Sequence, residues 1–324
     1  MKKLPIGRVT GSIAVLVPIA ALALLLWQPW DGGDSDSPSE AAGVENITPT
    51  PAADGLSGIL ATNDLSLGLN RVSFLVISPL ALVTVPQISV TSIYLPADGS
   101  SPVVKEEATA PFYLWPYGTR GNYVTQLTFD SPGNWELAVS AQDADGLVGT
   151  ARIPMNVSET SATPALGSLP PVSTNKTVAD VTSLSQITSS SSPDPDLYQM
   201  TIAQAANSQG PSLVVFASPA LCTSPICGPQ VDTVSELKES YKDQVSFIHV
   251  EVYDNPDQIQ GDLRTARYSP VAEAWGLPEI EDYLNESWIF ILDREGRIAL
   301  KYQGFASVEE LEQDLLQVIQ SNSS

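Results

Sequence analysis

The sequence predicts a multidomain chain: one N-terminal transmembrane helix, an all-β sandwich, and a C-terminal α/β domain. Three observations lead there. No charged residue occurs from Val9 to Trp30. Five runs between Arg71 and Met155 alternate apolar and polar residues in the two-residue period of a half-buried strand. From Ser212 onward the pattern changes to short continuous apolar runs separated by amphipathic helix patterns.

The order begins with a cytoplasmic tail, residues 1–8, and a membrane anchor, residues 9–30. Val9 to Trp27 is long enough, as a helix, to cross the hydrocarbon core. Lys2, Lys3 and Arg8 precede it and Asp31, Asp34, Asp36 and Glu40 follow it. The positive-inside rule then keeps the N-terminus in the cytoplasm and sends the rest of the chain out, held by the lipid bilayer. The expected location is the cell membrane, single-pass, with extracytoplasmic C-terminal domains. Ala21-Leu22-Ala23 has the small-x-small form of a cleavage site, so a cleaved signal peptide is the alternative. Cleavage there would expose Leu24-Leu25-Leu26-Trp27, which favours the uncleaved anchor.

Residues 31–55 are acidic and rich in Ser, Pro, Gly and Ala, a composition that reads as a flexible stalk. Residues 56–157 form the sandwich, with strands expected at Arg71–Ile77, Ile88–Tyr94, Tyr123–Phe129, Trp135–Val139 and Ala151–Met155. Asp98-Gly99, Tyr117-Gly118, Pro132-Gly133-Asn134 and Asp145-Gly146 supply the turns. About seven short strands without a helix pattern resemble an immunoglobulin-like module at the level of fold. No cysteine, histidine or acidic cluster at ligand spacing marks it, so a spacer or protein-contact role is expected. Residues 158–196, rich in Ser, Thr and Pro, read as a linker.

Residues 197–324 form the α/β domain. Ser212–Ala217 reads as a buried central strand, and a helix from Pro229 carries Val231, Val234, Leu237 and Tyr241 on one face. Strands follow at Val245–Val252 and Trp288–Leu292, with a short helix opened by Ser269-Pro270 between them. Arg294-Glu295-Gly296 turns into Arg297–Tyr302 as a hairpin. Ser307 with Glu310 has the form of a capping box for a last helix striped by Val308, Leu311, Leu315 and Val318.

The chain has only two cysteines, and both fall in one hexapeptide, Cys222-Thr-Ser-Pro-Ile-Cys227, between the first buried strand and its helix. In open α/β sheets reactive groups collect beyond the carboxyl ends of the strands. Cys227 stands where unpaired N–H groups and the positive end of the helix dipole favour a thiolate. A loop ending at the helix start can bring Cys222 to disulfide distance. These two residues are therefore the candidate catalytic pair.

On these residues the domain resembles the thioredoxin-like superfamily. Ser212–Pro229 is similar to the strand and Cys-Gly-Pro turn of a thioredoxin, and Phe247–Pro256 to its second strand and turn. Ala274-Trp275-Gly276-Leu277 and Trp288–Gly304 resemble later segments, especially those of membrane-anchored bacterial thioredoxin domain-containing proteins. The resemblance implies thiol-disulfide exchange with protein thiols or disulfides as partners and no cofactor or resident metal. The chain departs from the family at Gln230, where thioredoxins have their second cysteine, at Val215 in place of a buried Asp, and at Ser287 near the usual cis-proline. The helix position assigns attack to Cys227 and resolution to Cys222. Cys-x4-Cys is also similar to one peroxiredoxin class, which would reverse those roles, but Pro219 replaces its Thr. The alternative is a non-enzymatic surface interaction protein with a structural Cys222–Cys227 bridge. His249, the only histidine, sits between Ile248 and Val250 and is expected to be structural. The competing role is copper delivery with the cysteine pair.

Charge bounds the partners further. Of 15 basic residues three precede the anchor, and the rest of the chain sets twelve against 37 acidic side chains. Such a body repels phosphate backbones, so no nucleic-acid partner is expected. Composition leaves the oligomeric state open.

Overall fold

The computed structural model describes residues 55–321 except 117, 144–145 and 281–285. The predicted tail, anchor and nearly all of the stalk lie outside the described residues. Among the described residues no helix is long and apolar enough to cross a membrane.

Seven antiparallel strands form the first module: β1 (Ser57–Leu60), β2 (Gly68–Ile77), β3 (Gln87–Tyr94), β4 (Val103–Leu114), β5 (Gly121–Phe129), β6 (Gly133–Asp143) and β7 (Gly146–Val157). Their order is β1-β2-β5-β4-β3-β6-β7. The five predicted strands fall within β2, β3, β5, β6 and β7. β4 is the join. Its first part, Val103 to Pro111, pairs with β3, and Phe112 to Leu114 pair with β5. On the far side Gly58 of β1 lies directly under Ile153 of β7, where no Cβ would fit, so the sheet is nearly closed. Trp135, Tyr123, Phe74, Phe129 and Leu127 fill the interior. Trp135 meets Phe129 edge to face at 4.9 Å and donates its indole N–H to Ser131 O at 2.9 Å.

The second module is a four-stranded sheet of β8 (Ser212–Ala217), β9 (Ser246–Glu251), β10 (Trp288–Leu292) and β11 (Ile298–Gln303), in the order β11-β10-β8-β9. β8 and β9 are parallel, whereas β10 is antiparallel to both β8 and β11. Helices α1 (Ile202–Ala206), α2 (Cys227–Tyr241), α3 (Pro256–Ile259), α4 (Pro270–Ala274) and α5 (Val308–Ser321) complete it. A βαβ unit followed by a hairpin and a helix is the order of elements that the sequence predicts for this domain. Central β8 is buried on both faces, which explains its unbroken apolar run. Leu213, Val215 and Ala217 face the cluster made with α2 and α5, while Val214 and Phe216 face Trp275 and Phe290.

The Ser/Thr/Pro-rich stretch 158–196, read from composition as a linker, is built into the molecule. Asp64 accepts hydrogen bonds from Ala162 N at 2.9 Å and Thr163 Oγ1 at 2.6 Å, and Lys301 donates to Ser161 Oγ at 2.6 Å. Burial alone would raise the Asp64 pKa, but Lys301 and these donors outweigh it and hold the carboxyl below the usual range. Val178, Val181 and Leu184 pack on the core beside α2. Trp275 Nε1 donates to Ser173 Oγ at 2.9 Å.

The two modules meet at a polar seam. Arg71 of β2 is buried and donates to both carboxylate oxygens of Glu310, at 2.6 and 2.9 Å, and to the carbonyls of Gln303 and Phe305. Asn63 N donates to the Gln303 side chain at 2.7 Å. The predicted capping box is therefore changed. Ser307 does cap α5, accepting from Glu310 N at 3.3 Å, but the Glu310 carboxylate is engaged by Arg71 in the other module.

Candidate functional site

Cys222 and Cys227 are joined in a disulfide with their Cα atoms 6.1 Å apart. The chain reaches this position directly from the carboxyl end of β8. Leu221 N and Cys222 N both donate to Ser218 O at 3.0 Å, folding the loop back, and Cys227 opens α2. The expected helix from Pro229 thus starts two residues earlier. No side chain caps it, so the first-turn amides and the helix dipole are directed toward the Cys227 end.

The two sulfurs are not equivalent. Cys227 is fully buried in the core cluster, whereas Cys222 is half-buried. In this oxidised state the half-buried Cys222 is the more accessible target for an incoming thiolate, whereas its position at the helix start favours Cys227 as the thiolate of the reduced pair.

Gln230, in place of a second thioredoxin cysteine, is buried and grips the chain after β11. Its Oε1 accepts from Ala306 N at 2.7 Å and its Nε2 donates to Ala306 O at 3.2 Å. Ser287 is also buried: its Oγ donates to Gly304 O at 3.1 Å and its carbonyl accepts from Gly304 N at 2.9 Å. Gln230 and Ser287 are therefore both structural ties.

His249 is a structural histidine. Its Nε2 lies 3.0 Å from Ala217 O, which can only accept, so Nε2 carries the proton and Nδ1 accepts from Tyr198 Oη at 2.7 Å. Burial holds its pKa down at about 4. Both nitrogens are thus engaged, and among the described residues no group of three His, Cys, Asp or Glu side chains is placed to hold a metal.

Glu251 was not singled out by the sequence reading. It ends β9 opposite Ala217, at the same sheet edge as the cysteine loop. It is buried, with Oε2 accepting from Ser189 N at 2.7 Å and Oε1 without a hydrogen-bond partner. Burial pushes its pKa up to about 7, against smaller downward effects from nearby hydroxyls and amides. Ser189 in turn accepts from Ala220 N at 3.1 Å, linking the acid to the cysteine loop through one residue. The available signal was a carboxylate inside the otherwise apolar run around Val250 and Val252, in a strand buried on both faces.

No family model matches the sequence, and no curated protein sequence matches it. Among solved structures it is similar to a thiol:disulfide interchange protein of the thioredoxin family from Chlorobium tepidum TLS, at 13% identity and a TM-score of 0.29, covering 38% of this chain and 90% of that one. A thio-disulfide isomerase from Thermus thermophilus matches at 22% identity and a TM-score of 0.26, over 37% of this chain and 86% of that one. The multi-modular chitinase ChiW from Paenibacillus sp. str. FPU-7 matches at 9% identity and a TM-score of 0.20, over 35% of this chain and 9% of that one.

Proposed function

We propose that this chain is a membrane-anchored, extracytoplasmic thiol-disulfide exchange protein acting through Cys222 and Cys227. The observation that carries the reading is the disulfide at a strand-to-helix turn, with Cys222 half-buried and Cys227 at a helix N-terminus. A partner thiolate attacks Cys222, the S–S bond breaks, and Cys227 leaves as a thiolate favoured by the helix amides. A second partner thiol then releases Cys222, leaving both protein cysteines reduced and the partner oxidised; the reverse sequence reduces a partner. The uncharged Val9–Trp30 stretch and the basic residues before it support the anchor and its orientation. An immunoglobulin-like identity for the first module is supported by its strand order, in which β1-β2-β5-β4 and β3-β6-β7 follow the two sheets of such domains.

The decisive experiment measures the reduction potential of the full chain and traps mixed disulfides in single-cysteine variants. Exchange predicts a potential above about −300 mV, with partners trapped on Cys222 in the Cys227→Ser variant and few on Cys227 in Cys222→Ser. The complete burial of Cys227 favours one second reading, a permanent clamp on the loop. A potential below about −300 mV with no trapped partner establishes the clamp and removes the exchange reading.

A further inference from the structure

Residues 177–196 form a strap that touches three parts of the α/β module: the end of β9, the loop that carries Cys222, and α2. Val178 N donates to Tyr198 O at 2.9 Å, so the two ends of the strap are tied together. Thr177 N and Oγ1 donate to Asp180 at 2.9 and 2.8 Å and stiffen its start. Val178, Val181 and Leu184 pack on the apolar cluster that encloses Cys227 and supports Cys222, and Ile187 lies within that cluster. Farther along, the buried Lys238 of α2 binds Asp194 at 2.8 Å and Asp196 at 2.9 Å.

Ser189 stands between these fixings. Its N–H donates to Glu251 Oε2 at 2.7 Å, and its Oγ accepts from Ala220 N at 3.1 Å. Ala220 is two residues before Cys222, and the next two amides, Leu221 N and Cys222 N, are both taken by Ser218 O at 3.0 Å. Every amide from Ala220 to Cys222 is thus bonded, one of them to the strap. Breaking the disulfide requires its two sulfurs to move apart. Cys227 is buried and built into α2, so the half-buried Cys222 loop is the part that must give. Ser189 holds that loop, and Glu251, fixed at the end of β9, holds Ser189.

We propose that Ser189 and Glu251 are positioning residues for the cysteine pair: they latch the Cys222 loop in its disulfide-bonded place, which slows reduction of the pair and favours its oxidised form. They act through the backbone of the loop and not on the sulfurs. Where the attacking thiol belongs to a partner protein, this control rests on the exchange reading; the latch itself does not.

The test is reduction of the full chain by dithiothreitol. One dithiothreitol thiolate attacks Cys222 Sγ, the S–S bond breaks, and Cys227 leaves as a thiolate. The second dithiothreitol thiol then displaces Cys222 and closes the reagent's own disulfide, so two electrons and two protons pass from reagent to protein. Glu251→Leu removes the acceptor for Ser189 N. It should speed reduction about tenfold and raise the reduction potential by about 30 mV, the same factor in equilibrium for a two-electron couple. Ser189→Ala, which loses only the bond from Ala220, should speed reduction about threefold. Glu251→Gln and Ser189→Thr keep an acceptor in place and should behave as the parent. Ser307→Ala, at the start of α5, controls for a general loss of stability and should leave the rate unchanged. A parent-like rate in Ser189→Ala, acceleration in both conservative variants, or equal acceleration in Ser307→Ala overturns the latch. Should Glu251→Leu fail to fold, the two Ser189 variants decide alone. Trapping of partners is scored separately. The expected accelerations with no trapped partner keep the latch and remove the exchange reading, whereas trapped partners with a parent-like rate in Ser189→Ala do the opposite.

Discussion

The two modules handle polar groups in opposite ways. The β-module packs Trp135, Tyr123, Phe74 and Phe129 in its core, and its buried charged groups, Asp64 and Arg71, are both tied to residues outside the module. The α/β module buries His249 and Glu251 at the end of its sheet where the cysteines stand, and shuts Cys227 into its core. The β-module commits its one deeply buried arginine, Arg71, to the seam. Chemistry is thus concentrated in one module, while the other contributes shape and a charged tie. The comparison teaches that a module without a reactive site can still be fixed to the one that has it through a single buried arginine.

The largest expected effect tests that tie. Arg71→Met leaves Glu310 buried without its partner and should cost about 3–5 kcal/mol, whereas adding Glu310→Leu should recover most of it. Urea unfolding followed by tryptophan fluorescence measures both. A cost under about 1 kcal/mol would mean that the seam does not hold the modules together.

The next effect is on pH dependence. His249 titrates at about 4 when folded against an ordinary 6.5, so its contribution to stability is lost as pH falls from about 6.5 to 4. Glu251 titrates at about 7 against an ordinary 4.5, so its contribution is lost as pH rises from about 4.5 to 7. The two oppose each other over the shared interval. Glu251→Gln removes only the second, and its stability relative to the parent should rise by about 3 kcal/mol between pH 4.5 and 8. A pH-independent difference would show that the acid is not titrating inside the fold.

Replacing both cysteines by Ser should cost about 2 kcal/mol, the value for a closed loop this short. Equal folding with the disulfide reduced would favour a pair selected for exchange over a clamp. The smallest effect is at α5, where Ser307→Ala should cost about 1 kcal/mol in the same unfolding assay. A larger loss would indicate that the cap also positions Glu310 for Arg71.

Much of the architecture is legible in the sequence because its periodicities are strong. β8 and β10 match their predicted runs residue for residue, since a strand buried on both faces must be continuously apolar. β4 escaped because Lys105, Glu106 and Glu107 interrupt its alternation and Pro111 lies within it; most of the strand is exposed, so burial imposed little pattern. The segment 158–196 escaped for a different reason. Its order comes from hydroxyls and amides satisfied by distant groups such as Asp64 and Lys301, and composition does not reveal partners so remote in sequence. The cysteine pair was legible as a pair. Its asymmetry was not, because access depends on how the loop folds back on Ser218. Arg71 shows the same limit, since nothing local marks an arginine as the partner of a glutamate 239 residues away.

The segment 158–196 has one more consequence. A mixed sheet ends in strands whose unused amides and carbonyls can recruit a strand from another molecule. Here Gly167 N donates to Ile298 O at 2.7 Å and Ile298 N donates to Ser168 O at 2.9 Å, so the segment pairs with the first residue of β11. Just beyond β9, Ser269 N bonds Val252 O and Asp254 N bonds Arg267 O, both at 2.8 Å. In the other module β1 tucks against β7, and Leu67 and Ser158 close the gap below it. A strand arriving from another molecule would have to displace these contacts at the start of β11 and just beyond β9 before it could pair there.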